Sequence, residues 1–320
     1  MAERVVALLA APADRPAVLV DATVGAGGHA LALLEASPPD THLVAFDRDA
    51  DALALARERL SAHADRVALV HAGHDRLAEH VAPVAARVGP VLGVVYDLGV
   101  SSMQLDRAER GFSFRATAPL DMRMDADAAT TAADVVNGRT VEELTRIIRW
   151  YGEERFARRI ARAVVAARPL RTTTELAGVV EEAVPVATRR RGLHPATRTF
   201  QALRIEVNGE LERLRSSLPQ ALELVAPAAA AGRCGGRVAV LAYHSLEDRI
   251  VKRAFAEAAT GCVCPPGLPV CACGRSPLVT ALTRGAERPD AAEVAGNPRA
   301  RAAKLRAVER TSAVAPRGGR

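Results

Sequence analysis

The stretch Val20–His42 reads VDATVGAGGHALALLEASPPDTH, and LVAFDRDAD follows directly at Leu43–Asp51. An apolar run ends in Asp21, a glycine cluster follows, and a second apolar run ends in Asp47. A glycine loop after one strand, with an acid at the end of the next strand, is typical of nucleotide cradles in doubly wound α/β folds. The stretch therefore predicts both the fold and a cofactor that carries a nucleoside.

The chain up to Asp97 alternates between short β-branched runs and segments with helical spacing. This alternation predicts a doubly wound, mostly parallel sheet with right-handed crossovers. The strand pattern returns later, at Arg237–Ser245. In the first part we expect four strands that are buried on both faces: Ala17–Val24, His42–Asp47, Val67–Ala72 and Val91–Asp97.

Between the two strand-bearing parts, the sequence contains no strand candidate and shows helical spacing. We expect a helical insertion at residues 105–216, which separates a first core segment at 1–104 from a second at 217–311, with a disordered tail at 312–320. Near the end of the insertion, apolar residues at steps of three and four predict one long helix with a single apolar stripe: Phe200, Leu203, Val207, Leu211, Leu214 and Leu218.

The charge of the chain favours a polyanionic partner. The 320 residues carry a formal net charge of +6, and nearly all the basic residues are arginine. Arginine suits bidentate contacts with phosphate. A GC-rich coding bias would also raise the arginine content, so both explanations stay open. Aromatic residues make up only 3%, so stacking on bases must depend on few side chains.

The sequence predicts a cytoplasmic protein with no membrane association. No apolar run is long enough to span a bilayer. The head of the chain, MAERVVALLAAPA, lacks the net basic charge of a signal peptide and is interpreted as an amphipathic helix.

Four of the five cysteines lie in one short segment: Cys262, Cys264, Cys271 and Cys273. Four thiolates can close a tetrahedral zinc site, but C-x-C is an unusual spacing for zinc. A reduced cysteine-rich loop is the alternative, and the sequence alone does not choose between the two. No metal is assigned to the predicted reaction.

The glycine loop by itself fits two cofactors. Gly25–Ala30 matches G-x-G-x-x-A, and Asp47 follows at the distance expected for an acid that binds ribose hydroxyls. NAD and S-adenosylmethionine both remain candidates at this point. Asp21 favours the methyl donor, because its carboxylate would repel a pyrophosphate but not a sulfonium cation. Asp97 favours it too, since amino-group methyltransferases commonly carry an acid at the end of this strand.

Six long motifs follow one another in order between Leu19 and Thr311: VDATVGAGGH, DLGVSSMQLDRAERGFSFRATAPLDMRMD, YGEERFARRIARA, HPATRTFQALRIEVNGEL, AYHSLEDRIVKRAF and NPRARAAKLRAVERT. Together they resemble the RsmH (MraW) family, which are cytosine-N4 methyltransferases of small-subunit ribosomal RNA. The resemblance implies a class I, Rossmann-like methyltransferase sheet with an inserted helical domain that recognises RNA. It also implies S-adenosylmethionine as cofactor and ribosomal RNA in the small ribosomal subunit as partner, with no role for DNA or a membrane.

The resemblance also implies site residues. The positions that match the family's donor-binding residues are Gly27, Gly28, His29, Asp47, Asp97 and Gln104. Asp97 is the expected catalytic residue, which would accept a hydrogen from the target amine. His74 stands where the family often has phenylalanine, so its contact with adenine is an open question, although an imidazole can stack. The oligomeric state is left open.

Two further groups of residues are ambiguous. His194, Arg198 and Arg204, together with TRRRGLHPATR at residues 188–198, suit either contacts with RNA phosphates or a solvated helix end. His244 and Ser245 are neighbours on one strand and so point to opposite faces, which disfavours a hydrolase pair and favours contact with the target nucleotide. An NAD-dependent oxidoreductase and a non-catalytic RNA-binding protein remain the rival interpretations.

Overall fold

The computed structural model describes residues 1–186, 194–228, 234–265 and 272–313. It consists of two compact units, one formed by Met1–Gly99 with Glu212–Arg320 and the other by Val100–Leu211. The first unit contains the sheet, and the described part of the second is helical. The boundaries predicted from the sequence, after residues 104 and 216, each lie a few residues beyond the observed boundaries at Gly99 and Leu211.

The first unit is built on a seven-stranded sheet with the order β3-β2-β1-β4-β5-β7-β6. Strands β1 to β5 pair in parallel, and β7 pairs antiparallel with both β5 and β6. The predicted doubly wound, mostly parallel sheet is therefore confirmed. The strands are β1 Ala17–Asp21, β2 Thr41–Asp47, β3 Val67–His71, β4 Val91–Asp97, β5 Arg237–Ala242, β6 Val279–Ala281 and β7 Lys304–Arg310.

One strand is not buried as predicted. Residues of β3 are half-buried or exposed, whereas those of β1 are buried throughout. The reason is position, because β3 is the last strand at its end of the sheet and has a neighbour only in β2. Apolar composition did not distinguish an edge strand from a central one.

The described residues form thirteen α-helices: α1 Ala2–Leu9, α2 Gly28–Glu35, α3 Ala50–Arg59, α4 Leu77–Val88, α5 Ser102–Asp106, α6 Ala132–Gly138, α7 Val141–Gly152, α8 Ala157–Ala166, α9 Thr173–Ala183, α10 Ala196–Asn208, α11 Glu210–Leu224, α12 Ser245–Ala259 and α13 Ala291–Gly296. Among the residues described, none of these helices combines the length and apolar character that a membrane crossing needs.

Helices cover both faces of the sheet, because alternate strand residues point to opposite sides. Val20 on β1 packs in the same cluster as Leu77 of α4 and Phe255 of α12. Its neighbour Leu19 belongs to a second cluster, with Leu33 of α2. The two clusters hold the sheet between helical layers. Because β1 to β5 are parallel, their carboxyl ends lie at one edge of the sheet.

The second unit has its own hydrophobic core. Helices α6, α7 and α9 are each preceded by an N-cap threonine whose side chain accepts a hydrogen bond from the backbone N–H three residues on, and the acid at that position accepts one from the threonine N–H. These capping boxes satisfy backbone groups that a helix start leaves unpaired. The core includes Leu144, Ile148, Ile160, Leu176 and Leu203.

The prediction of one long helix near the end of the insertion was wrong. Helix α10 ends at Asn208, and Gly209 adopts a left-handed conformation with φ of 59° before α11 begins. Glycine enters that region without the steric cost of a Cβ atom. The apolar stripe is consequently divided, since Phe200 packs in the core of the helical unit and Leu218 packs on the sheet.

Candidate active site

Three carboxylates lie at the same edge of the sheet. Asp21, Asp47 and Asp97 end strands β1, β2 and β4, and β1 lies between the other two. Asp21 is opposite Val95 of β4 and Ala45 of β2 in the parallel register, so the ends of the three strands are adjacent. In an open α/β sheet, ligands bind in the crevice at this edge where the strand order reverses.

Asp47 organises the glycine loop. Its Oδ2 atom accepts a hydrogen bond of 2.9 Å from the Gly25 backbone N–H, and its Oδ1 atom accepts one of 2.9 Å from Asp49 N–H. Burial raises the pKa of this carboxyl above its ordinary value, while these backbone donors act in the opposite direction. Each carboxylate oxygen has further acceptor capacity, so the group suits ribose hydroxyls.

The glycines have different roles in the loop. Gly25 and Gly27 have φ values of 50° and 81°, which residues with a Cβ atom rarely adopt. A Cβ atom on Gly25 would meet nothing within 4 Å, whereas one on Gly27 would point at Ala56 of α3. Gly25 therefore keeps the open side of the loop free for a ligand. Gly27 is needed for its left-handed conformation, since a Cβ atom there would make only ordinary van der Waals contacts with α3.

Asp97 is held from three directions. Its backbone N–H donates to Thr23 Oγ1 at 2.7 Å, and its Oδ1 atom accepts a hydrogen bond of 2.8 Å from the Tyr243 hydroxyl. Its Oδ2 atom lies 3.4 Å from Nδ1 of His29. The side chain is still 31% exposed, so a ligand can reach the carboxylate.

Tyr243 and Thr23 were not predicted from the sequence. Tyr243 immediately precedes His244 in the motif AYHSLEDRIVKRAF, but a tyrosine is also a common core residue. That the Tyr243 hydroxyl lies beside the Asp97 carboxylate follows only from the pairing of β5 with β4. Burial, and then the charge of Asp97, raise the pKa of the Tyr243 hydroxyl, so this hydroxyl stays protonated and acts as a donor.

The charged groups of the crevice shift one another's pKa values. Burial raises the pKa of Asp21 to about 7, and the nearby His29 only partly offsets this effect. Burial acts to lower the pKa of His29, but its hydrogen bond to Asp97 and the charges of Asp97 and Asp21 raise it overall. A site with three acids and one imidazole attracts cations and disfavours a pyrophosphate.

One buried polar atom points to a polar ligand. The Nε2 atom of His29 is screened from solvent and has no hydrogen-bond partner among the described residues. Buried polar atoms in folded proteins usually have partners. Together with the exposed carboxylate of Asp97 and the open side of Gly25, this fits a zwitterionic nucleoside ligand such as S-adenosylmethionine.

His74 lies in the turn after β3, and its half-buried ring packs edge-on against Tyr96, with ring centroids 5.5 Å apart. Burial lowers the pKa of His74 to about 4, so its imidazole is neutral near pH 7. Gln104 belongs to the helical unit, where its side chain closes a capping box with Ser101 at the start of α5. Gly28 is the first residue of α2.

His244 and Arg204 have structural roles, and His244 and Ser245 lie beyond the end of β5 rather than on the strand as predicted. The His244 ring accepts a hydrogen bond from Glu247 N–H and caps α12, whose first residue is Ser245. Arg204 forms two hydrogen bonds, of 2.8 and 2.9 Å, with the Glu210 carboxylate, and both side chains are largely buried.

The predicted phosphate contact of Arg204 is therefore unsupported, because its guanidinium is already neutralised. Arg198 remains about half exposed, although its guanidinium lies 3.6 Å from Glu154. His194 packs against Phe114. The arginine run at 189–191 lies outside the described residues.

Comparison with known proteins gives a consistent result. The MraW methylase family matches residues 1–311. "Ribosomal RNA small subunit methyltransferase H" of Mycobacterium sp. (strain KMS) is 54% identical over 301 residues, covering 94% of this chain and 78% of the relative. The proteins of the same name from Saccharopolyspora erythraea and Syntrophotalea carbinolica are 54% and 52% identical, covering 97% and 92% of this chain and 92% and 91% of the relatives.

The sheet and its acidic crevice thus define a Rossmann-like methyltransferase. The chain belongs to the MraW methylase family. Family membership confirms S-adenosylmethionine as the cofactor and excludes both rival interpretations, the NAD-dependent oxidoreductase and the non-catalytic RNA-binding protein.

Replacement of Asp47 by alanine should weaken binding of S-adenosylhomocysteine by about 2–4 kcal/mol, because buried ribose hydroxyls lose a charged acceptor. Asp47→Asn retains one acceptor oxygen and should show a smaller loss. Calorimetric titration measures both affinities, and thermal unfolding reports whether the loop remains folded. Unchanged affinity of Asp47→Ala would show that the ribose binds elsewhere.

Asp21→Asn should change how stability depends on pH. Because the folded-state pKa of Asp21 is raised from 3.8 to about 7, folding favours the protonated acid, and this contribution is lost as pH rises through about 7. Asparagine cannot ionise, so the free energy of unfolding of the variant, relative to wild type, should rise by up to about 4 kcal/mol between pH 4 and pH 8. Denaturant titrations at both pH values measure this, and a difference independent of pH would contradict the buried-acid account.

Proposed function

We propose that this enzyme transfers a methyl group from S-adenosylmethionine to the N4 amino group of a cytidine in small-subunit ribosomal RNA, in the cytoplasm. The observation that carries the proposal is the carboxylate of Asp97, which is fixed at the sheet edge yet accessible. The names of the relatives support the choice of small-subunit RNA, and the sequence resemblance supports cytosine N4.

The chemistry requires orientation more than a strong base. S-adenosylmethionine supplies a methyl carbon that its sulfonium already activates as an electrophile. The lone pair of a cytosine amino group is delocalised into the ring, so the amine must be held with this pair directed at the methyl carbon. The target base must also leave its stack to enter the crevice.

Asp97 is the residue suited to hold that amine. Tyr243 donates to its Oδ1 atom and His29 lies beside its Oδ2 atom, which fixes the plane of the carboxylate. A hydrogen bond from N4–H to this carboxylate would strengthen as positive charge develops on nitrogen during transfer. Tyr243 and His29 act as positioning residues for Asp97.

RNA contact is best supported on the helical unit. A groove there is lined by Val141, Glu142, Thr145, Arg146, Arg149, Trp150 and Arg158. Helix α7 buries Leu144 and Ile148 on one side, and its opposite side carries Arg149 and Trp150. Trp150 is 63% exposed, which is unusual for so large an apolar side chain.

An exposed aromatic ring among arginines is suited to single-stranded RNA. Bases stack on aromatic faces without requiring a given sequence, and guanidinium groups contact the flanking phosphates. The groove therefore provides a binding surface for unpaired nucleotides of the RNA. Its composition explains how a chain with few aromatic residues can still offer a base a stacking partner.

Asp97→Asn should lower the single-turnover rate of methylation of isolated small subunits by about a hundredfold or more, because the amide loses the charge that opposes the developing positive charge. Tyr243→Phe leaves the carboxylate in place and should reduce the rate less. Transfer of labelled methyl groups measures both, with large subunits as the control acceptor. A wild-type rate for Asp97→Asn, or equal labelling of large subunits, would refute the proposal.

Trp150→Ala should weaken binding of the enzyme to small subunits by about 1–3 kcal/mol, the contribution of one stacked base. Trp150 is the only tryptophan of the chain, so quenching of its fluorescence on RNA addition reports stacking directly. Trp150→Phe should retain part of the affinity.

The charged side of the groove gives a second measurement. Arg146→Ala and Arg149→Ala should each reduce the salt dependence of binding by roughly one unit of slope if each meets a phosphate. Arg215→Ala removes the same charge from an exposed site on the other unit and serves as the matched control. Unquenched fluorescence together with unchanged slopes would exclude this groove as the RNA surface.

A further inference from the structure

Three thiol groups converge in the loop between α12 and β6. The Sγ atoms of Cys262, Cys264 and Cys273 all lie within 4.8 Å of one another, and those of Cys262 and Cys273 are 3.7 Å apart. Two of the three residues are exposed and the third is half-buried, so apolar packing does not explain their convergence. The methyltransferase site makes no use of them.

The framework brings the two ends of this loop together. Leu278 N–H, just before β6, donates a hydrogen bond of 2.8 Å to the carbonyl of Ala258, in the last turn of α12. Thr311, after β7, adds hydrogen bonds to the carbonyls of Pro277 and Leu278. Cys262 and Cys273 therefore lie near the point where the two ends of the loop are held together. The entropic cost of closing the loop is already offset by the fold and does not oppose metal binding.

The distances match a metal better than a disulfide. A disulfide requires sulfur atoms about 2 Å apart and joins only two of them. In a tetrahedral zinc–thiolate site, Zn–S bonds of about 2.3 Å place neighbouring sulfurs about 3.8 Å apart. The separation of Cys262 and Cys273 agrees with that edge, and the sulfur of Cys264 lies within 4.8 Å of both.

The unusual C-x-C spacing is also accommodated. The backbone N–H of Cys264 lies 3.4 Å from the sulfur of Cys262 and donates to it. Such a donor stabilises a thiolate, and hydrogen bonds to ligand atoms are the usual support of a metal site. The spacing that counted against zinc in the sequence thus forms a turn that directs both sulfurs to one side.

Cys271, the fourth cysteine of the segment, lies outside the described residues. We propose that Cys262, Cys264 and Cys273 bind one zinc ion as thiolates. Sulfur donors select a soft cation, and zinc in such sites is structural rather than redox-active. The ion would tie the end of α12 to the segment that enters β6. The proposal rests on these three residues and is independent of the reaction and its RNA substrate.

The test is the metal content of protein purified under reducing conditions without chelator, after expression with added zinc. Elemental analysis should find one zinc per chain in wild type and substantially less in Cys262→Ser and Cys273→Ser. Cys234→Ser is the matched control, because Cys234 is exposed and lies outside the cluster, and it should retain the full ion. Binding of S-adenosylhomocysteine by each variant shows that the fold is intact.

Cobalt and thiol labelling give independent measurements. Cobalt-loaded wild type should show thiolate-to-cobalt charge-transfer absorption, and the two cluster variants should lose it. Thiol reagents should modify Cys262 and Cys273 only after metal removal, while Cys234 reacts in both states. The proposal is overturned if wild type contains no stoichiometric zinc, if the folded cluster variants retain it, or if mass spectrometry finds Cys262 and Cys273 joined as a disulfide.

Discussion

The hydrogen bond between the Tyr243 hydroxyl and Asp97 is the contact on which the proposed chemistry depends. It joins the end of β5 to the end of β4, and Thr23 ties the same aspartate to the glycine loop. A carboxylate held in this way loses little freedom when a substrate amine binds, so binding energy can be used for orientation. The sheet beneath provides the rigidity, since β4 and its neighbours are buried on both faces.

The same edge carries an electrostatic cost that the ligand relieves. Asp21 is almost fully buried, and this burial is the main reason that its pKa is raised, while repulsion by the charges of Asp97 and Asp47 adds to the effect. A cationic donor reduces that repulsion. The acids at the strand ends thus lower the stability of the fold, but they favour a sulfonium compound over a dinucleotide. Such local destabilisation is expected at functional sites.

Much of the core could be predicted from local sequence patterns. The alternation of strands and helices, the glycine loop, Asp47 and Asp97 all depend on residues close together in the chain. Tyr243 could not be assigned, because its contact depends on a strand pairing across the whole insertion. The break at Gly209 was missed because the apolar spacing continues on both sides of it, although each side packs in a different core. In the sequence Arg204 resembles a phosphate ligand, but in the fold its guanidinium pairs with the carboxylate of Glu210.

If Asp97 orients the target amine as proposed, the crevice presents the amino group of cytosine, rather than a ring carbon or a ribose hydroxyl, to the methyl donor. Nucleoside analysis by mass spectrometry tests this most directly. Small subunits lacking the modification are incubated with the enzyme and isotopically labelled S-adenosylmethionine, and the RNA is digested to nucleosides. The label should then appear only in N4-methylcytidine. Label in a C5-methylated cytidine, a ribose methyl group or another base would contradict the proposal.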